Sequence, residues 1–187
     1  MGALDEAVAA ISGAGVGIDG AALERGQGEL GRDEQRGAGG LKEAGFVLAG
    51  FAIGGFCYIA LVRLMLKTLG VFNLIRWGGA ISGAGFAALA LQVSWPVEMI
   101  MFFVIGLGFY MIHNSLQTQA TELAPDNRAS AVAAHAFFFF LGQASGPLIY
   151  RVGFEWAGSR ATLIAMGVVM ALTGLATAAG LRSRSAL

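Results

Sequence analysis

Charge is what this sequence has least of. Only 13% of its 187 residues are Asp, Glu, Lys or Arg, where a soluble domain carries about 25%. That scarcity excludes an ordinary water-soluble enzyme. Twelve bases are balanced by twelve acids, so there is no positive field of the kind a nucleic-acid binder needs. Cysteine is nearly missing as well. With Cys57 alone, neither an intrachain disulfide nor a cysteine-based zinc cluster can form, and Cys57 lies in an apolar run, where it packs as a small hydrophobe. Metal, cofactor and enzymatic signatures are absent: there is no His-Glu-x-x-His, no Gly-x-Ser-x-Gly and no Walker loop, and no two carboxylates share an apolar run. An intramembrane hydrolase or redox enzyme would need such groups, so the sequence reads as a non-enzyme without cofactor or metal.

What the sequence has is long stretches without a single charge. Five of them, 44–62, 77–97, 99–121, 129–150 and 161–181, are each 19 to 23 residues long. As a helix each spans about 30 Å, the hydrocarbon thickness of a bilayer. The expected fold class is therefore all-α, a polytopic membrane bundle with five spans at about 44–66, 75–93, 96–121, 130–150 and 161–181. Residues 1–43 differ in kind, holding eight of the twelve acids and four of the twelve bases. They read as a Gly/Ala-rich, polar and mobile tail with at most a short helix around Asp5–Ser12, and residues 44–187 as the transmembrane domain. Asp5 and Glu6 stand where a secretory signal would carry Lys or Arg, so insertion is expected to depend on the first span.

Within the spans, Gly50-xxx-Gly54, Gly79-xxx-Gly83 and Gly142-xxx-Gly146 place small residues four apart. That spacing lets helix backbones approach closely, although glycine is also common in spans without any such role. Ser94-Trp95-Pro96 reads as a tight turn, with Trp95 at interface depth and Pro96 in the first turn of the next helix, which makes the second and third spans an antiparallel hairpin. Counting bases in the short loops puts Arg63, Lys67, Arg76, Arg128, Arg182 and Arg184 on one side and Arg151 and Arg160 on the other. The richer side is expected to be cytoplasmic, and with it the C-terminus.

The third span carries the most informative polar pattern. Tyr110, His113, Asn114, Gln117, Thr118 and Thr121 follow offsets of 0, 3, 4, 7, 8 and 11, which is one stripe of a helix. Facing lipid, such a stripe would leave hydrogen-bonding groups unpaired, so it should face a water-filled path or other helices. Two readings stay open: contact with a solute in a translocation path, or polar glue between helices. His113 could relay a proton or bind solute, or it could sit neutral against a neighbouring helix. His135, beside Phe137–Phe140, reads as packing, while Gln143 and Ser145 are weaker lining candidates. The apolar cluster Met99–Phe103 fits a lipid-facing or packing surface.

The run Gly106-Leu-Gly-Phe-Tyr-Met-Ile-His-Asn-Ser-Leu-Gln-Thr-Gln-Ala-Thr-Glu-Leu-Ala-Pro-Asp-Asn-Arg128, followed by Phe140-Leu-Gly-Gln-Ala-Ser-Gly-Pro147, resembles helices ten and eleven of drug- and sugar-efflux members of the major facilitator superfamily. Arg63-Leu-Met-Leu-Lys-Thr-Leu-Gly70 is similar to the family's basic loop between helices eight and nine, without the Asp often found there. The resemblance implies that the five spans correspond to helices 8–12. It also implies a proton- or gradient-driven transporter in the cell (inner or plasma) membrane, with a central cavity between two six-helix halves. Tyr110, His113, Asn114, Gln117 and Gln143 would then line or flank that cavity, and Arg63, Lys67 and Arg128 would belong to the cytoplasmic loops that gate it. Residues 1–43 are not apolar enough for a seventh helix. Three readings follow: the C-terminal part of an efflux-like transporter, incomplete alone; a half-transporter assembling with a second copy; or a membrane scaffold that no longer transports. The implied partners are the lipid bilayer, a small solute, and either the missing N-terminal half or a second copy.

Overall fold

The computed structural model describes residues 41–184, and all of them except two short connections are helical. Of the expected tail, residues 1–43, residues 1–40 lie outside the described residues, while Leu41, Lys42 and Glu43 are the first residues of a helix. Three helices result: α1 (Leu41–Leu89), α2 (Trp95–Leu123) and α3 (Arg128–Arg184), with a 3-10 turn at Pro125–Asn127 leading into α3. All three are long and apolar enough to cross a membrane.

Two of these helices are broken internally. At Gly70 the backbone takes φ 72°, ψ 163°, and at Gly158 φ 79°, ψ 165°, a region open in practice only to glycine. Each glycine ends one helical run and starts another, so α1 consists of α1a (41–69) and α1b (71–89), and α3 of α3a (128–157) and α3b (159–184). A polar side chain serves each break. Asn73 Nδ2 donates to the Leu69 carbonyl at 3.0 Å, and Thr162 Oγ1 donates to the Gly158 carbonyl at 2.8 Å. The backbone acceptors loosened there keep a partner.

The stretches 67–74 and 151–160, expected to connect spans, are thus helical up to a single reversing glycine. Basic residues near the reversals suggested loops, but a charged side chain at the end of a helix reaches polar surroundings without the backbone having to unwind. The turn after α1 begins earlier than expected, occupying residues 90–94 with Gln92 at φ 55°, so that Trp95 already belongs to α2, while Pro96 lies in the first turn of that helix as expected.

Contacts establish the path of the chain. Gly50, Gly54 and Gly55 meet Met99, Phe103 and Tyr110 in ascending order, so α1a runs parallel to α2. Gly78 meets Gly108 and Met111 while Gly85 meets Ile105, so α1b runs antiparallel to it. Likewise α3b is antiparallel to α1b, through Gly79 on Gly174 and Gly83 on Gly167. The order of Phe109 and His113 against Phe139 and His135 makes α3a antiparallel to α2. Arg63, Lys67, Arg76, Arg128 and Arg182 consequently gather at one end, and Arg151 and Arg160 at the other, where Arg160 Nε donates to the Ala90 carbonyl at 3.2 Å.

Glycine decides how close these helices come. A Cβ at Gly79 would stand 2.9 Å from the Gly174 Cα, and one at Gly106 would stand 2.9 Å from the Phe51 Cα. Dispersion between touching backbones supplies the association that lipid, as apolar as the side chains, does not drive. At the end opposite Gly70, Val47, Leu89, Phe102, Tyr150 and Leu163 form the larger core. Around it the surface is apolar: Phe138 is 68% exposed and Ile149 69%, a covering suited to lipid and costly in water.

Candidate functional site

The polar stripe lies on the half of α2 nearer the basic end, and its members have distinct surroundings. Thr118 Oγ1 donates to the Asn114 carbonyl at 3.0 Å, and Thr121 Oγ1 to the Thr118 carbonyl at 2.7 Å. Those two hydroxyls are satisfied by their own helix and need no outside partner. The groups left for other work are Tyr110, His113, Asn114 and Gln117.

Tyr110 is half-buried and lies over Gly55 of α1a, where the missing side chain leaves room for its ring; Phe51 and Phe109 flank it at 6.0 and 5.4 Å between ring centres. His113 lies on the other side of the stripe. Its ring stacks on Phe109 at 5.5 Å with 7° between planes, approaches Phe139 at 4.5 Å, and faces His135 at 5.2 Å. The stripe is thereby walled by α1a on one side and α3a on the other. Asn114 is half-buried, and the hydroxyl of buried Tyr58 from α1a points toward Asn114 and Ser115. Gln117 is exposed.

Two residues of this cluster were not assigned to it from sequence. His135 read as packing, yet it pairs with the only other histidine in the chain, and its Nε2 is shielded from solvent without a hydrogen-bond partner among the described residues. Tyr58 carried no signal, because a lone tyrosine in an apolar run matches an interfacial or core residue equally well. Only the register between helices places both residues at the stripe.

Gln143 lies one turn beyond Phe139 on α3a and is exposed. A Cβ added at Gly142 or Gly146 would meet nothing within 4 Å. Positions 135, 139, 142 and 146 share a helix face, so the face that touches α2 at His135 and Phe139 is open further along. Gly50, Gly54, Gly79 and Gly83, by contrast, all have neighbouring backbone close by. Of the loop cations, Arg63, Lys67 and Arg128 are exposed at the basic end. Among the described residues no three His, Cys, Asp or Glu side chains come together in a way that could hold a metal ion.

Comparison with known proteins places the chain in a family. An uncharacterized MFS-type transporter of Bacillus subtilis (strain 168), YfkF, is 32% identical over 107 residues, which cover 56% of this chain and 27% of that protein. The chain thus spans only about a quarter of the length of that curated relative. No solved structure matches it. The family profile of the Major Facilitator Superfamily matches residues 27–186, which include every described helix, and with long apolar helices and so little charge the chain is an integral, multi-pass membrane protein that belongs to the Major Facilitator Superfamily.

Proposed function

We propose that the chain is the C-terminal part of a facilitator-type secondary transporter that moves a small solute, efflux-like, across the cell membrane, and that it does not transport alone. The observation that supports this reading is that Tyr110 packs on Phe51 of α1a and His113 on Phe139 of α3a, on a stripe that continues through Asn114 to the exposed Gln117. Polar groups at that depth are expensive unless they serve a path or a partner. Tyr110 and His113 offer aromatic faces and Asn114 and Gln117 offer amides, a set suited to an uncharged or weakly basic organic solute.

In this reading each broken helix crosses the bilayer twice, giving five crossings. Drawn straight, a helix of 49 residues such as α1 would be about 74 Å long, more than twice the hydrocarbon thickness of about 30 Å. The basic end is cytoplasmic and holds the C-terminus, with Arg63, Lys67 and Arg128 at the loops that gate the path. The open face at Gly142, Gln143 and Gly146 is where the N-terminal half would lie, so that alternating access arises from one half rocking against the other.

The genomic frame upstream provides a direct test. An in-frame stretch of about 800 bases encoding six or seven further spans is expected, and its absence would contradict the reading. Reconstitution of the chain by itself should give no saturable flux of drugs or sugars under a pH gradient. Gradient-driven flux abolished by His113→Ala would instead establish a self-assembling half-transporter, and a complete frame that still fails to transport would leave a membrane scaffold.

A further inference from the structure

We propose that His113 of α2 and His135 of α3a form a two-histidine binding site for a divalent transition-metal ion, with zinc as the representative. The chain holds only two histidines, on different helices, and the fold brings their rings to 5.2 Å between centres with 40° between planes. The His135 Nε2 is shielded from solvent and has no hydrogen-bond partner among the described residues. In the neutral tautomer protonated at Nδ1 that atom presents a lone pair. A shielded acceptor without a partner costs free energy, and a metal ion supplies the partner.

The spacing of the rings fits coordination. Two imidazoles bound through nitrogen to one tetrahedral zinc, with Zn–N bonds of about 2.0–2.1 Å, hold their ring centres about 5 Å apart. The neighbours of the pair are apolar: Phe109 stacks on His113 at 5.5 Å and Phe139 packs on it at 4.5 Å. Such a shell offers no competing ligand and restricts the access of water.

The donor set decides the class of ion. Imidazole suits zinc, nickel and copper, whereas magnesium and calcium take carboxylate and carbonyl oxygens. Among the described residues no third His, Cys, Asp or Glu joins the pair. Two protein nitrogens therefore leave positions open to water and to the amide oxygen of Gln117, which lies one turn beyond His113 on the same face of α2 and is exposed. Structural zinc sites are closed by four protein ligands, so this one exchanges its metal with the water at the Gln117 end. The inference concerns what these two side chains bind and does not rest on the transport reading, because its test measures binding and no flux.

Isothermal titration of zinc chloride into the chain in detergent, purified without a histidine tag, tests it. One zinc per chain is expected, and magnesium chloride should not bind. His113→Gln and His135→Gln should each weaken zinc binding by about tenfold or more, because a single imidazole lacks the effective concentration that the second provides. Cys57→Ser removes the only thiol and should leave binding unchanged. X-ray absorption at the zinc edge of the loaded wild-type chain should show two imidazole ligands, which keeps the test decisive if a histidine variant does not purify. Failure to bind one zinc, equal binding of magnesium, wild-type affinity in either histidine variant, equal loss in Cys57→Ser, or a zinc shell without two imidazoles would each overturn the proposal.

Discussion

The ring of His113 on α2 lies 5.2 Å, centre to centre, from the ring of His135 on α3a, and Phe139 closes on His113 from the same side at 4.5 Å. These contacts tie α3a to the half of α2 that carries the polar stripe. Because the two imidazoles share their surroundings, replacing either should disturb the same contact. His113→Ala and His135→Ala are expected to destabilise less together than the sum of the single changes, by about 0.5–1 kcal/mol. A double-mutant cycle on thermal unfolding in detergent measures this coupling, and strict additivity would mean that the rings do not interact.

The reversals at Gly70 and Gly158 make a second prediction. Both hold a positive φ with open space around them, so alanine would meet a backbone penalty and no steric one. Gly70→Ala and Gly158→Ala should each lower stability by about 1–3 kcal/mol. Gly180, exposed with nothing within 4 Å and an ordinary helical backbone, is the control. Gly180→Ala should be neutral or stabilising, since alanine is the better helix former. An equal loss at all three positions would show that the reversals are not held by those two torsions.

How much of this was legible in the sequence depends on the feature. The charge-free runs locate the apolar helical segments, because within a bilayer no other conformation satisfies the backbone. The breaks are less visible. The chain holds 29 glycines, and nothing local distinguishes Gly70 and Gly158, which reverse the chain, from Gly142 or Gly180, which continue a helix. The stripe from Tyr110 to Thr121 was readable because its period is internal to one helix. Its neighbours Tyr58 and His135 were not, because the register between helices is set by packing and leaves no periodic trace. Similarly, Gly79-xxx-Gly83 and Gly142-xxx-Gly146 share a pattern, yet only the first meets another helix.

That contrast between glycine pairs can be measured. Gly54 and Gly106 are pressed against backbone of the opposite helix, and backbone cannot swing aside as a side-chain end can. Gly54→Ala and Gly106→Ala should force α1a and α2 apart at a cost of about 1–3 kcal/mol. Gly142→Ala and Gly146→Ala should cost nothing in the chain by itself. Thermal midpoints of the four variants decide the matter, and a loss at Gly142 or Gly146 comparable to that at Gly54 would show that the open face is occupied.

The central claim is that Tyr110, His113, Asn114 and Gln117 face a polar path rather than the packed interior. Cysteine accessibility in native membranes tests it most directly. In a Cys57→Ser background, single cysteines at those four positions would be compared with cysteines at Met111 and Ile112, which are 2% and 7% exposed on the opposite side of α2. With a membrane-impermeant maleimide, the four stripe positions are predicted to label about tenfold faster or more, since the reagent reaches only water-filled space. Labelling at 110, 113, 114 and 117 no faster than at 111 and 112 would contradict the account.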